Sequence, residues 1–150
     1  MPATHAICEY RTRRRIEFVE TDMGGIVHFS RFYVFMEQTE HAFLRSLGAN
    51  PGSYRDSEGR SVGWPRVAAS CEFLSPARFG DELDIHLRVL RKGTSSLTYG
   101  FDIRLAERLG ERAVARGQVT TVYCHMDAPG GMKPVPIPPE VAGLIEQVPS

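Results

Sequence analysis

The spacing of apolar residues predicts a strand followed by one long helix. Polar and apolar residues alternate along residues 15–19, which is the period of a half-buried strand, and we place the first strand over residues 10–20. Downstream, apolar residues return every three or four positions, as they do on one face of a helix. We expect this helix to begin near Ser30, a favoured N-cap residue, and to end at residues 47–48. The stripe consists of Phe32, Phe35, Met36, Thr39, Phe43 and Leu47.

Further along the chain, the pattern predicts four more strands with short connections. They cover residues 62–74, 81–91, 95–105 and 113–126, and Pro65 is expected to interrupt the first of them. Gly93 and the pair Gly110-Glu111 are expected in hairpin turns. We also expect a surface loop over residues 49–60. A short C-terminal helix over residues 140–147 is expected to follow a proline-rich segment. This order predicts an α+β fold in which a five-stranded antiparallel sheet packs on one helix.

The apolar stripe of the predicted helix is broad, which indicates that more than one side of the helix is covered. Tyr33, Val34 and Leu44 widen it, so we expect the sheet to curl round the helix and cover more than one side. An open sheet leaves two edge strands exposed, and pairing between subunits is a common way to cover them. We therefore expect one domain over residues 1–150 and at least a dimer.

Composition narrows the class of protein. Lys plus Arg and Asp plus Glu number 18 each, so the net charge gives no indication of a nucleic-acid partner. Cys8, Cys71 and Cys124 are far apart and match neither a disulfide framework nor a zinc site. The sequence has no apolar run long enough to span a membrane and no apolar core of a secretory leader. We expect a cytoplasmic protein without a metal ion.

Asp22 is the acid with the most informative surroundings. It follows the predicted first strand and precedes Gly24, Gly25 and the helix entry. A carboxylate beside the free N–H groups of a helix start would place a base or nucleophile next to a group that polarises a carbonyl. An aspartate that only caps a turn accounts for the same pattern, so both interpretations stand.

The residues around Asp22 also have two interpretations each. His28 is a candidate ligand or a structural histidine, since no Ser or Cys nucleophile motif accompanies it. Phe32 and Tyr33 suit a core or an acyl pocket, and Glu37 suits a pocket wall or a solvated surface. Gly25 is either a plain turn glycine or a point where an acyl chain approaches the backbone.

A basic pair at the predicted Gly93 turn indicates a possible phosphate contact. Arg91 and Lys92 precede this glycine, and Ser95 follows it. A solvated turn explains the pair, and binding of a nucleotide phosphate is the alternative. The chain has no P-loop and no dinucleotide fingerprint, so binding of ATP or a dinucleotide is not supported.

Several motifs occur in the order and spacing of a known family. They are Asp22-Met23-Gly24-Gly25-Ile26-Val27 with Phe29, Phe32 and Glu37; Gly63-Trp64-Pro65; Ser75-Pro76-Ala77-Arg78-Phe79-Gly80-Asp81-Glu82-Leu83; Arg91-Lys92 with Ser95-Ser96-Leu97; and Pro134-Val135-Pro136-Ile137-Pro138. In this order they resemble the 4-hydroxybenzoyl-CoA thioesterase family of acyl-CoA hydrolases, over nearly the whole chain. The resemblance implies a hot-dog fold and a homodimer with active sites at the subunit interface, paired into a homotetramer.

The resemblance also implies roles for individual residues. Asp22 stands where the family has its nucleophile or general base, and the backbone N–H of Phe29 stands where the family polarises the thioester carbonyl. Many relatives carry His or Tyr in place of Phe29, whereas here the histidine is one position earlier. The implied substrate-binding residues are Gly25, His28, Phe32, Tyr33, Glu37 and Trp64, and the implied CoA-binding residues are Arg91, Lys92 and Ser95.

The predicted function is hydrolysis of an acyl-CoA to a carboxylic acid and CoA, with no cofactor apart from the coenzyme of the substrate. Two other functions stay open: hydrolysis of a thioester on an acyl carrier protein, and acyl-CoA binding without catalysis, which would not need Asp22. A hot-dog dehydratase would be expected to use a histidine with an acid on or near the helix, which the position of Asp22 fits less well.

Overall fold

The structure is a computed structural model that describes residues 5–50, 54–107 and 110–150. Its one long helix in these ranges, α1, has 18 residues. The elements in chain order are β1 (Glu9–Arg15), a 3-10 helix (Phe18–Glu20), α1 (Phe29–Ser46), β2 (Val62–Gly63), β3 (Arg66–Phe73), β4 (Glu82–Lys92), β5 (Ser96–Glu107), β6 (Gly110–Val122), β7 (Cys124–His125), β8 (Lys133–Pro134) and α2 (Pro139–Ala142).

A five-stranded antiparallel sheet holds most of the chain, in the order β1–β4–β5–β6–β3. Leu87 of β4 lies opposite Phe101 of β5, which lies opposite Gly117 of β6. β1 and β3 form the edges, and β2, β7 and β8 form a second, small sheet. The predicted α+β hot-dog fold, with one long helix and a five-stranded antiparallel sheet, is confirmed.

The core lies between α1 and one face of the large sheet. Successive side chains of a strand point to opposite faces, and on β4 every second residue from Leu83 to Val89 is buried. These residues share one apolar cluster with Phe35, Met36 and Phe43 of α1, all of which have no exposed surface. The buried residues recur at every second position in β4 and at helical spacing in α1, and both sets lie in one core, as the sequence predicts.

The first strand is shorter than predicted. β1 ends at Arg15 because residues 17–20 turn into a 3-10 helix, where the Glu17 N–H donates to Glu20 Oε1 at 2.7 Å. Phe18 and Val19, which the prediction included in the first strand, are 76% and 72% exposed. A local capping box thus overrides the strand pattern at this end.

Two other predicted strands are divided. Pro65 separates β2 from β3 because proline has no N–H to donate to a ladder, although its carbonyl accepts the Val122 N–H at 3.0 Å. The predicted strand over residues 113–126 becomes β6 and β7, and β6 begins earlier, at Gly110. The short β7 pairs with β2 and β8, which gives the small sheet.

The remaining differences concern connections. Gly110 and Glu111 are not in a turn, as predicted, but are the first residues of β6; residues 108–109 lie outside the described residues. Residues 51–53 of the predicted loop also lie outside them. The predicted helix over residues 140–147 is only the four-residue α2. No helix in the described ranges has both the length and the apolar composition needed to cross a membrane.

Candidate active site

Asp22 lies in a tight turn that leaves part of its carboxylate available. The Asp22 N–H donates to the Ile26 carbonyl at 2.9 Å, and the Gly25 N–H donates to the Asp22 carbonyl at 3.0 Å. Gly25 has φ +77°, a conformation that favours glycine. Asp22 Oδ1 accepts the Gly24 N–H at 2.8 Å, whereas Oδ2 accepts no hydrogen bond from any described residue. The aspartate therefore shapes the turn and also exposes an oxygen that can act on a substrate.

The N-terminus of α1 follows this turn. Its N-cap is His28, not Ser30 as predicted: His28 Nδ1 accepts the Ser30 N–H at 3.3 Å and lies 2.8 Å from Ser30 Oγ. The His28 side chain therefore caps the first turn of the helix. The N–H of Phe29, the first helical residue, has no hydrogen-bond acceptor among the described residues. A free N–H at the positive end of a helix can polarise a carbonyl oxygen.

Aromatic residues continue from the helix start towards β3. The Phe29 ring is 59% exposed and lies edge-on to Phe73 of β3, with ring centroids 6.3 Å apart. Phe32 packs on the same Phe73 at 5.6 Å and is buried, so it belongs to the core as well as to this wall. Tyr33 is half-buried one turn along, and the exposed Glu37 follows another turn later. The structure thus brings these predicted residues together beside β3.

Trp64 lies elsewhere in the subunit. Its ring is 4.9 Å from that of Tyr123, and both line a cavity of about 570 Å³. Gly48 and Ala49, which follow the C-terminus of α1, line the same cavity. A second cavity of about 570 Å³ lies on the outer face of the sheet, beside His86. Neither cavity includes Asp22, so both cavities are separate from the candidate chemistry.

The predicted CoA-binding residues lie at the same end of the sheet as Trp64. Lys92, Leu97, Thr121 and Arg66 are side by side across β4, β5, β6 and β3. Asp22 is at the other end, near the start of β4, where the Val27 N–H donates to the Ala77 carbonyl. The length of β4 separates the two ends by roughly 30 Å, at about 3.3 Å per residue. One subunit therefore does not unite the two predicted sets.

Lys92 has a structural role that the sequence did not reveal. Its Nζ donates to the carbonyls of Ala142 and Ile145 at 2.6 and 2.8 Å, and its backbone N–H donates to Gln147 Oε1 at 3.1 Å. Arg91 beside it is exposed, and the Ser95 carbonyl accepts a backbone N–H. Lys92 thus fixes the C-terminal segment to the hairpin, while CoA binding by all three residues stays a prediction.

Sequence reasoning missed two buried acids, Glu20 beside the Asp22 turn and Glu40 at the Arg66 end of the sheet. Glu20 is 3% exposed and pairs with Arg14, and Glu40 is 1% exposed and pairs with Arg66. Burial raises the pKa of Glu40 to about 7, against the opposite influence of Arg66. The signal for Glu40 was its position four residues after Met36, on the apolar stripe. No group of three or more metal-ligating side chains occurs in the described part of the chain.

Comparison with known families shows which family the chain belongs to. The sequence model of the thioesterase superfamily matches residues 24–111. The chain belongs to this superfamily. Its members are thioester hydrolases, and acyl-CoA thioesterases of the hot-dog fold are among them. This confirms the predicted resemblance and enzyme class. The match begins two residues after Asp22 and assigns no role to any residue, so the roles of Asp22 and of the other candidate residues stay predictions.

Individual relatives of this thioesterase superfamily member agree with the assignment. A putative esterase from Aquifex aeolicus (strain VF5) is 28% identical over 134 residues, which are 89% of this chain and 95% of that protein. A 1,4-dihydroxy-2-naphthoyl-CoA hydrolase from Prochlorococcus marinus (strain MIT 9313) is 28% identical over 109 residues, with 69% and 72% covered. The solved structure of 4-hydroxybenzoyl-CoA thioesterase from Pseudomonas sp. strain CBS-3 has a TM-score of 0.79 at 20% identity, with 92% and 99% covered. That last likeness shows the shared fold.

Proposed function

We propose that this chain hydrolyses an acyl-CoA thioester to a carboxylic acid and free CoA. The observation that carries the proposal is the pairing of an exposed carboxylate with one free N–H, that of Phe29, at the start of a helix. Asp22 Oδ2 and the Phe29 N–H both lack partners among the described residues, and they follow each other through one tight turn. Membership of a family of thioester hydrolases supports the choice of reaction.

In the proposed reaction, the thioester carbonyl oxygen accepts the Phe29 N–H. The oxygen gains negative charge as the carbonyl carbon is attacked, and the helix N-terminus stabilises that charge. Asp22 either attacks the carbon itself, giving an anhydride that water then hydrolyses, or takes a proton from the attacking water. In both routes a C–O bond forms, the C–S bond breaks, and CoA leaves as a thiolate that takes up a proton.

A second copy of the chain would complete the site. Side chains of β3 are exposed on both faces of this edge strand, with Val67 62% exposed and Phe73 49% exposed. Twofold antiparallel pairing of β3 with its copy would set the Arg66 end of one strand against the Phe73 end of the other. Trp64 of the second copy would then approach the Asp22 turn of the first. We propose this homodimer, paired further into a homotetramer.

The same pairing would bring the CoA-binding candidates to the site. Arg91, Lys92 and Ser95 lie at the Arg66 end of their own sheet, so those of the second copy would move towards the Asp22 turn. Gly25, His28, Tyr33 and Glu37 would contact the acyl-pantetheine portion. We further propose an aromatic acyl group, because exposed aromatic rings flank the helix start and because one named relative is a 1,4-dihydroxy-2-naphthoyl-CoA hydrolase.

The proposal includes two further points, on domain organisation and on cellular location. We propose that residues 1–150 form a single hot-dog domain. We also place the protein in the cytoplasm, since Cys8, Cys71 and Cys124 are all free thiols.

The test is release of free thiol from a panel of aromatic and straight-chain acyl-CoAs. Asp22→Asn keeps the shape of the turn but removes the base or nucleophile, so kcat should fall by about 10²-fold or more with little change in KM. Asp84→Asn, a substitution of the same kind on the outer face of the sheet, should retain activity. Full activity of a folded Asp22→Asn variant would remove Asp22 from the mechanism.

The panel also separates the alternative functions. A wild-type protein that binds acyl-CoA without releasing thiol would be a binding module. A much higher kcat/KM with an acyl carrier protein thioester than with the matching acyl-CoA would identify the carrier-bound chain as the substrate.

A further inference from the structure

Glu20, two residues before Asp22, is a buried acid with both carboxylate oxygens bound. Its Oε1 accepts the Glu17 N–H at 2.7 Å, and its Oε2 accepts a charged hydrogen bond from Arg14 Nη2. The side chain is only 4% exposed. A buried carboxylate is tolerated when a cation and hydrogen bonds offset its loss of water, and Arg14 supplies that cation.

The backbone of Glu20 is bonded to the other half of the candidate site. Its carbonyl accepts the N–H of His28 at 2.9 Å, and His28 is the N-cap that precedes Phe29. A backbone bridge between Thr21 and Val27 closes the same loop. Glu20 is thus two residues from the candidate carboxylate and one hydrogen bond from the residue before the candidate N–H donor.

Arg14 holds this assembly against the rest of the fold. It projects from β1, and its Nη1 donates to Gln38 Oε1 of α1 at 2.6 Å. Its guanidinium carbon lies 4.5 Å from the centre of the Phe35 ring, a cation–π contact with the buried core. One planar side chain therefore joins β1, the 3-10 helix that contains Glu20, and α1.

We propose that the Arg14–Glu20 pair is a positioning element for thioester hydrolysis, which sets the spacing between the Asp22 carboxylate and the Phe29 N–H. This inference rests on the proposed function. Neither residue touches the substrate; they act through the loop and the helix start. A displacement of about 1 Å at a reacting group lowers turnover by about 10²-fold, so a small shift of this loop is sufficient for a large effect.

Glu20→Gln is the first test, because it keeps the shape and one acceptor, removes the charge, and sets an NH2 donor where Glu20 accepts a second hydrogen bond. We expect kcat with an aromatic acyl-CoA to fall about tenfold or more, while KM stays within about twofold, since misalignment affects the transition state more than binding. Val89→Ala, a buried site at the far end of β4, is the control for lost stability and should keep its kcat at a comparable loss in Tm.

A double variant separates positioning from plain structural support. Arg14→Met combined with Glu20→Met removes the buried carboxylate together with the half-buried cation that pairs with it, so Tm should recover relative to either single variant. A structural role predicts that kcat recovers with Tm, whereas the positioning role predicts that kcat stays low. Recovery of kcat, or a wild-type kcat in Glu20→Gln, would overturn the inference.

Amide resonances give a readout that does not need turnover. Glu20→Gln should shift the ¹H–¹⁵N signals of Gly24 and Phe29, which lie on the two sides of the loop, and leave that of Val89 in place. Unchanged signals at both loop positions would overturn the inference even if the enzyme is active. Absence of wild-type thioester hydrolysis, by contrast, would overturn the proposed function, and with it any role of the pair in that reaction.

Discussion

Arg66 of the edge strand β3 donates to Glu40 Oε2 of α1 at 2.8 Å. Glu40 is 1% exposed, and its other oxygen, Oε1, has no partner among the described residues. Arg66 also lies 3.5 Å from the exposed Glu37, so its charge is shared between two acids. Burial therefore outweighs the cation and raises the pKa of Glu40 from 4.5 to about 7.

This raised pKa predicts how the stability of the fold depends on pH. The folded state binds the Glu40 proton more tightly than the unfolded chain does. Protonation of Glu40 therefore stabilises the folded state fully below about pH 4.5, and this contribution is lost as the pH rises through about 7. A shift of this size corresponds to about 3 kcal/mol. We expect urea unfolding of Glu40→Gln, which cannot ionise, to lose less free energy of unfolding between about pH 5 and about pH 8 than the wild type. Equal losses in the two proteins would contradict the assignment.

The exposed β3 predicts an oligomer that charge on this strand disrupts. Ala69 and Ser70 lie at its middle, where a twofold axis would set each residue near its copy. Ala69→Lys with Ser70→Lys should place like charges across the axis, so sedimentation should shift towards 16.8 kDa and activity should fall. Met132→Lys with Ser150→Lys adds the same charge at exposed positions outside β3 and its neighbouring strand, and should leave the assembly intact. A wild type that is active as a 16.8 kDa monomer would contradict the prediction.

The sequence predicts most of the fold because its signals are local. Strand alternation in β4 and the stripe of α1 act between near neighbours, and the turn at Asp22 depends on adjacent glycines. The errors near the N-terminus are local too: the Glu17–Glu20 capping box lies within a run that resembles a strand, and His28 takes the N-cap position predicted for Ser30.

The parts of the site that sequence reasoning missed depend on contacts between distant residues. Lys92 reaches a carbonyl 50 residues away, and Arg66 reaches an acid 26 residues away. No periodicity or short motif encodes such pairs, because the fold alone decides which side chains meet. The candidate residues are divided between two ends of the sheet because β3 pairs with β6, and this pairing also joins segments that are distant in the sequence.

A site shared between subunits predicts complementation. Asp22→Asn removes the candidate base from one side, and Trp64→Arg should block the acyl pocket that the second copy supplies. Each variant alone should be nearly inactive. Unfolded together and refolded at equal amounts, they should recover about a quarter of wild-type activity, because half of the dimers are mixed and each of these has one intact site. If no activity returns from mixtures that sedimentation shows to be mixed dimers, Trp64 does not contribute to the partner's site.

The hairpin after β4 predicts that two neighbouring cations have separable effects. Lys92 Nζ is held by two carbonyls of the C-terminal segment, so Lys92→Met should lower the free energy of unfolding by about 1–3 kcal/mol. Arg91 is exposed, and a phosphate contact from such a residue should contribute about 1 kcal/mol. Arg91→Ala should therefore raise KM for acyl-CoA several-fold at unchanged kcat and unchanged Tm, since the contact is the same in the ground and transition states.

Substrate truncation and salt identify where Arg91 acts. An acyl-pantetheine has no nucleotide, so Arg91→Ala should hydrolyse it as the wild type does. Added salt should raise KM of the wild type for acyl-CoA towards that of the variant, because it screens the same attraction. If the acyl-pantetheine is affected as strongly as acyl-CoA, Arg91 supports the fold or the acyl pocket, and the nucleotide binds at another surface.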